Sequence, residues 1–180
     1  MDRSHRRSRG KLIRPTFFVF CEGETEEAYI CYLRNRYRVP IEIKTKVAKN
    51  NISQQYVKRI LKLHQKHIKD QYFLLYDLDV PEMLSRLQSI KNTVLLVSNP
   101  CIELWFILHI CNHNYPATSL QCIGQLERIC RDYKKGSISH SLKNKLLSGE
   151  DSACSKAKKL SLYENPYTNV YLLIEALKSI

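Results

Sequence analysis

Four short runs rich in β-branched and aromatic residues recur along the chain, at 16–20, 41–47, 72–76 and 93–97, and the stretches between them carry helical periodicity. No other feature restricts the fold so strongly. Strands separated by helix-length connections pair in parallel, because a parallel pair needs a crossover that a tight turn cannot make. The first, third and fourth runs are continuously apolar, as strands covered on both faces must be. The expected class is therefore α/β, with a four-stranded, mainly parallel sheet and flanking helices.

The helices have readable starts. Thr25 is a good N-cap, with Glu26 and Glu27 in the first turn, where the helix dipole favours acids. A second helix from Ser53 would place Val57, Ile60, Leu61, His64 and Ile68 on one face, and a short third after Pro81 carries Met83, Leu84 and Leu87. After the fourth strand the pattern turns helical. Asn99 can cap a helix whose first residue is Pro100, and its continuation over 102–111 is apolar nearly all round, which predicts burial. Leu120, Ile123, Leu126, Ile129 and Tyr133 mark a further helix, and Val170, Leu173, Ile174 and Leu177 a last one from Thr168. The segment 134–167 reads as two short helices or a mobile insert. The organisation expected is a flexible basic arm at 1–14, an α/β core at 15–111, and a helical extension at 112–180 packed on that core as one domain.

The chain has 180 residues and a formal charge of +12, a size and composition that suit one folded domain. The charge is concentrated. Residues 1–14 hold Arg3, Arg6, Arg7, Arg9, Lys11 and Arg14 against Asp2. Residues 44–69 hold eight cations, Lys49, Lys58, Arg59, Lys62 and Lys66 among them, and no acid. A basic arm beside a basic helix suits a polyanion, since Lys and Arg release counterions from phosphates. On this ground Arg6, Arg7, Arg9, Lys49, Lys58, Arg59, Lys62 and Lys66 are the candidate nucleic-acid contacts. No apolar run reaches the about 18 residues of a membrane span, and the apolar stretch near the N-terminus is too short for a signal sequence. A cytoplasmic protein without a membrane partner is expected. The seven cysteines include no CxxC pair and read as reduced thiols; Cys101, His109, Cys111 and His113 lack standard zinc spacing.

A parallel sheet gathers the residues that follow its strands at one edge, and ligands bind there. Glu22 follows the first strand, and Asp77 and Asp79 follow the third. In an extended chain Asp77 and Asp79 would point to the same side and offer a hard divalent cation a bite. Mg²⁺ or Mn²⁺ would then be completed by water and by substrate phosphate oxygens. Glu22 could be a third ligand or a general acid or base. Glu26 and Glu103, one in the first turn of each neighbouring helix, are placed to orient that site. No GxxxxGK[ST], GxGxxG or serine elbow is present.

The residues Cys-Glu-Gly-Glu-Thr-Glu-Glu-Ala-Tyr at 21–29, Asp-Leu-Asp at 77–79, Ser-Asn-Pro-Cys-Ile-Glu-Leu-Trp at 98–105 and Asn-Pro-Tyr-Thr at 165–168 resemble the RloB family. That family includes the small component of the AbiL abortive phage-resistance system. The resemblance implies a Toprim-like core, with Glu22 as the acid or base and Asp77 and Asp79 as Mg²⁺ ligands for phosphodiester chemistry. It further implies an antiviral nuclease acting on DNA or on RNA such as tRNA, controlled by a partner ATPase. Three functions compete: this nuclease, a non-catalytic module that binds nucleic acid or a partner, and a phosphohydrolase or transferase of mononucleotides. Monomer and homodimer are both left open.

Overall fold

The apolar run after Pro15 forms β1 (Thr16–Cys21), buried along its whole length. Its side chains alternate between two cores, Phe17, Val19 and Cys21 on one face and Phe18 and Phe20 on the other. A strand apolar on both faces must be covered on both, so β1 lies in the middle layer of three. It pairs in parallel with β2 (Glu42–Val47) and β3 (Gln71–Asp77), and β3 pairs in parallel with β4 (Val94–Asn99). The structure, a computed structural model, describes residues 15–38 and 42–180.

Among the described residues the sheet has five strands, not four. β5 (Tyr167–Thr168) runs antiparallel to β4 and gives the order β2-β1-β3-β4-β5. Two residues are too few to show a period, so Thr168 read as the start of the last helix. Side chains hold this edge together: Ser98 Oγ and Thr168 Oγ1 lie 2.9 Å apart, and Asn169 imitates a strand on β4. Its Oδ1 accepts from the Val97 N–H at 2.7 Å and its Nδ2 donates to the Leu95 carbonyl at 2.9 Å.

One face of the sheet carries a thick helical layer of α1 (Glu24–Tyr37), α4 (Ile102–Leu108), α5 (Ser119–Ile129), α6 (His140–Ala157) and α7 (Tyr171–Lys178). Among the described residues the other carries α2 (Gln54–Leu61), α3 (Met83–Gln88) and a short 3-10 turn at Lys49–Asn51. Every residue of α4 is buried, as its apolar circumference predicts, and Trp105 Nε1 donates to Tyr29 Oη at 2.7 Å. Asn99 does not cap α4. It closes β4 and donates to the Tyr163 carbonyl at 3.0 Å, while Cys101 stands at the cap. Among the described residues no helix is long and apolar enough to cross a membrane.

Two further expectations change. Residues 140–157 form one helix of 18 residues rather than two short ones. Its buried face is Leu142, Leu146, Gly149, Glu150, Ala153 and Ala157, and a glutamate, a glycine and two alanines do not show as an apolar stripe. Gly149 is needed where it stands, because a Cβ there would run into the His109 carbonyl. The helix after Ser53 stops at Leu61, and Ile68 is 97% exposed. Asp70 ends that connection by accepting from the N–H groups of His67 (2.8 Å) and Thr16 (2.7 Å), which ties the turn to the start of β1.

Candidate functional site at the carboxyl edge

Glu22 and Asp77 meet where β1 and β3 end. The chain past β1 stays tied to β3 through the Glu22 N–H, which donates to the Leu75 carbonyl at 3.0 Å. The Glu22 side chain then turns across, its Oε2 accepting the Asp77 N–H at 2.8 Å. Asp77 is the last residue of β3, paired with Ser98 of β4. Its Oδ1 is sealed from solvent and has no hydrogen-bond partner among the described residues. Buried polar atoms are nearly always satisfied, so an orphan carboxylate oxygen at a sheet edge sets Asp77 apart from the other acids of this edge. Asp79 is exposed, so the two aspartates differ in depth, yet its charge still reaches both Glu22 and Asp77.

Thr25 is not the cap of α1; Gly23 is. The buried Glu26 reaches back from the first turn, its Oε2 accepting the Gly23 N–H at 2.9 Å. Glu27 Oε1 accepts from Thr45 Oγ1 at 2.6 Å. Glu103, in the first turn of α4 and 1% exposed, accepts from Tyr133 Oη at 2.7 Å. Thus Glu26 and Glu103 each have a holding partner and frame the edge rather than open onto it.

Three of these carboxyls, Glu22, Glu26 and Asp77, are raised above their ordinary values. Burial pushes Glu22 up and Asp79 adds to it, against the pull of the Asp77 N–H and of Lys135. Glu26 is pushed up to about 7, first by burial and then by Glu22 and Glu103. Asp77 is raised well above the carboxylate range by burial, then by the charges of Glu26, Glu22, Glu103 and Asp79. Among the described residues no three His, Cys, Asp or Glu side chains lie together so that they could hold a metal ion, Glu22, Asp77 and Asp79 included. The donors available to a hard divalent ion are the oxygens of Glu22, Asp77 and Asp79, and Mg²⁺ commonly takes one or two carboxylates and fills its shell with water. His109 Nδ1 bonds the Trp105 carbonyl at 2.8 Å and His113 Nδ1 bonds Gln125 at 3.1 Å, while His113 Nε2 is buried without a partner among the described residues. All seven cysteines are free thiols.

Beside Glu22 opens a cleft of about 390 Å³, lined also by Thr25, Lys49, Lys135 and Gly136. Lys49 sits at φ 48, a left-handed conformation unfavourable for a residue with a Cβ. It is held there by its N–H, which donates to the Glu22 carbonyl at 3.2 Å, and by its own carbonyl, which accepts from Tyr76 Oη at 3.2 Å. Lys135 comes from the connection between α5 and α6. The next residue, Gly136, has φ 82 and donates its N–H to Thr25 Oγ1 at 2.9 Å. Sequence reasoning missed Lys135; the one signal was a Lys-Lys-Gly at 134–136 in a segment without period.

The other basic candidates separate. Arg59 lies in its own hollow near the start of α2 with Tyr56, its guanidinium 5.3 Å from the Tyr56 ring centre. Lys58, Lys62 and Lys66 border a cleft with Tyr72, near the start of β3 and so toward the opposite edge of the sheet. Arg6, Arg7 and Arg9 lie outside the described residues.

A family model described as RloB-like protein matches residues 17–177. No curated protein and no solved structure matches the chain. The matched span contains Glu22, Asp77, Asp79, Glu103 and all of β2 to β5, so the protein belongs to the RloB-like family.

Proposed function

We propose that this protein is a Mg²⁺- or Mn²⁺-dependent nuclease of Toprim type that cuts DNA or RNA, tRNA included, in antiviral defence under the control of a partner ATPase. The observation that carries the reading is the buried, unpartnered Oδ1 of Asp77, set beside Glu22 and within reach of the charges of Glu26, Glu103 and Asp79. A glutamate after the first strand and a DxD after the third are the Toprim pattern that the family resemblance implies.

Glu22, Asp77 and Asp79 would hold the metal, which when bound supplies charge on the phosphate oxygens and a more acidic water. Glu22, its carboxyl raised by burial, is suited to hold or pass a proton at Oε1, since Oε2 is committed to the Asp77 N–H. Glu26 and Tyr133-bonded Glu103 keep the edge in place from behind. Lys49 and Lys135 flank Glu22 in the cleft and are suited to bind the phosphates on either side of the scissile bond. The exposure of Asp79 favours a second reading, a non-catalytic module of a defence complex that binds nucleic acid or a partner protein.

The test is cleavage of labelled DNA and total tRNA with Mg²⁺ or Mn²⁺, with and without a candidate ATPase. The wild type should cut, and the folded Asp77→Asn/Asp79→Asn variant should not. A folded double variant that cuts as fast as the wild type ends the nuclease reading. Calorimetry showing no Mg²⁺ or Mn²⁺ binding moves the protein to the second.

A further inference from the structure

The lysines away from the acidic edge form a built cleft. It measures about 330 Å³ and brings together Lys58 and Lys62 of α2 and its end, Lys66 of the following turn, and Lys91, which lies just before β4. Val57, Leu61 and Tyr72 floor it, and no acid lines it. Among the described residues none of the four lysines makes an ion pair. Lys91 is set in place by its backbone, whose N–H donates to Gln54 Oε1 at 2.7 Å, and Asn92 beside it turns the chain at φ 61. Nothing in the sequence pairs Lys91 with residues 58–66; the fold does.

The cleft's place matters as much as its charge. Tyr72 and Asp77 are five residues apart on β3, which puts the cleft about 17 Å from the acidic edge at roughly 3.3 Å per residue. The α2 helix runs between the two, from the end near Lys49 to the end at Leu61, and the whole stretch 44–69 contains no acid. A basic track of this length matches a chain of phosphates better than a single anion.

We propose that the Lys58–Lys62–Lys66–Lys91 cleft is a second phosphate-binding site, which grips the backbone of a nucleic acid strand about 17 Å from the acidic edge. The proposal rests on the nucleic-acid reading above but not on cleavage. Its ligand is the sugar-phosphate backbone, and its contribution is independent of sequence.

The experiment is fluorescence anisotropy of the full-length protein with labelled DNA and RNA strands of about 16 nucleotides, near the upper end of known single-strand sites, in EDTA at several salt concentrations. The Lys62→Gln/Lys91→Gln variant should bind about tenfold more weakly, and the slope of log affinity against log salt should fall by about 1.4 for single strands, two contacts at roughly 0.7 each. Lys58→Gln/Lys66→Gln should behave alike, and Lys143→Gln on α6 should match the wild type. Unchanged affinity and slope in both double variants overturn the proposal. So does a nucleoside triphosphate or polyglutamate that competes equally well for the lysines, the first by pointing to a free nucleotide and the second to an acidic protein. Lysine-dependent binding without cleavage under any condition leaves this site standing and removes the nuclease; cleavage with lysine-independent binding does the reverse.

Discussion

The two edges of the sheet carry opposite charge excesses in opposite settings. At the carboxyl edge Glu22, Glu26, Asp77 and Glu103 are wholly or partly buried under the thick helical layer, and burial is the first cause of the raised pKa of Glu22, Glu26 and Asp77. At the amino edge Lys58, Lys62, Lys66 and Lys91 stand on the thin layer, exposed to water and salt. Like charges repel in both places, but water screens the lysines and the protein interior does not screen the acids. Repulsion is therefore strong among the acids and weak among the lysines, the contrast on which the two proposals rest.

The comparison can be broken at the acidic edge first. Asp77→Asn should reduce metal-dependent cleavage by about 10²–10⁴-fold, the range for losing a group that acts on the reacting atoms, while nucleic-acid affinity in EDTA stays the same or improves. Equal cleavage by the variant in a gel assay would make the two edges alike.

The difference between the layers gives the next effect. Trp105→Ala removes a fully buried indole from the thick layer and should cost about 3–5 kcal/mol in denaturant unfolding. Val57→Ala in the thin layer should cost about 2 kcal/mol, the value of two buried methyl groups. Equal losses would mean that the thin layer is as strongly packed as the thick one.

The pH dependence sharpens the same contrast. A carboxyl raised from 4.5 to about 7 binds its proton more tightly in the folded protein than in the unfolded chain. Between those two values the folded state therefore carries more protons, and stability rises as pH falls. Taking the metal-free protein from pH 8 to 5.5 should stabilise it by about 2 kcal/mol through Glu26 alone, read as a higher melting temperature. Glu26→Gln should flatten that dependence, and an equal slope in the variant would assign it to another group.

The smallest effect tests the frame behind the site. Tyr133→Phe removes the hydroxyl bonded to Glu103 and should cost about 1–2 kcal/mol in thermal unfolding, because Glu103 Oε1 is then left buried without a donor. No loss would mean that Glu103 finds another partner.

Residues near a strand end were legible because their position follows from the local pattern. Glu22 and Asp77 sit directly after apolar runs, and only a parallel sheet explains those runs, so their meeting at one edge followed before any coordinates. The carboxylate bite of Asp77 with Asp79 was less accurate, since alternation along a strand says nothing of depth once the strand has ended. Helix α6 escaped notice because its core face uses Gly149, Ala153 and Ala157, and β5 because its pairing rests on Ser98, Thr168 and the Asn169 amide.

By itself the sequence determined the parallel α/β core, the acidic carboxyl edge and the concentration of positive charge in two segments, since all three depend on neighbours within a few residues. Only the tertiary structure decided that Lys135 joins Glu22, that Lys91 joins Lys58, Lys62 and Lys66, and that Asp77 keeps one oxygen sealed and unpartnered. Those facts depend on loops that meet across the sheet and on how deeply each is covered. Periodicity carries no record of either.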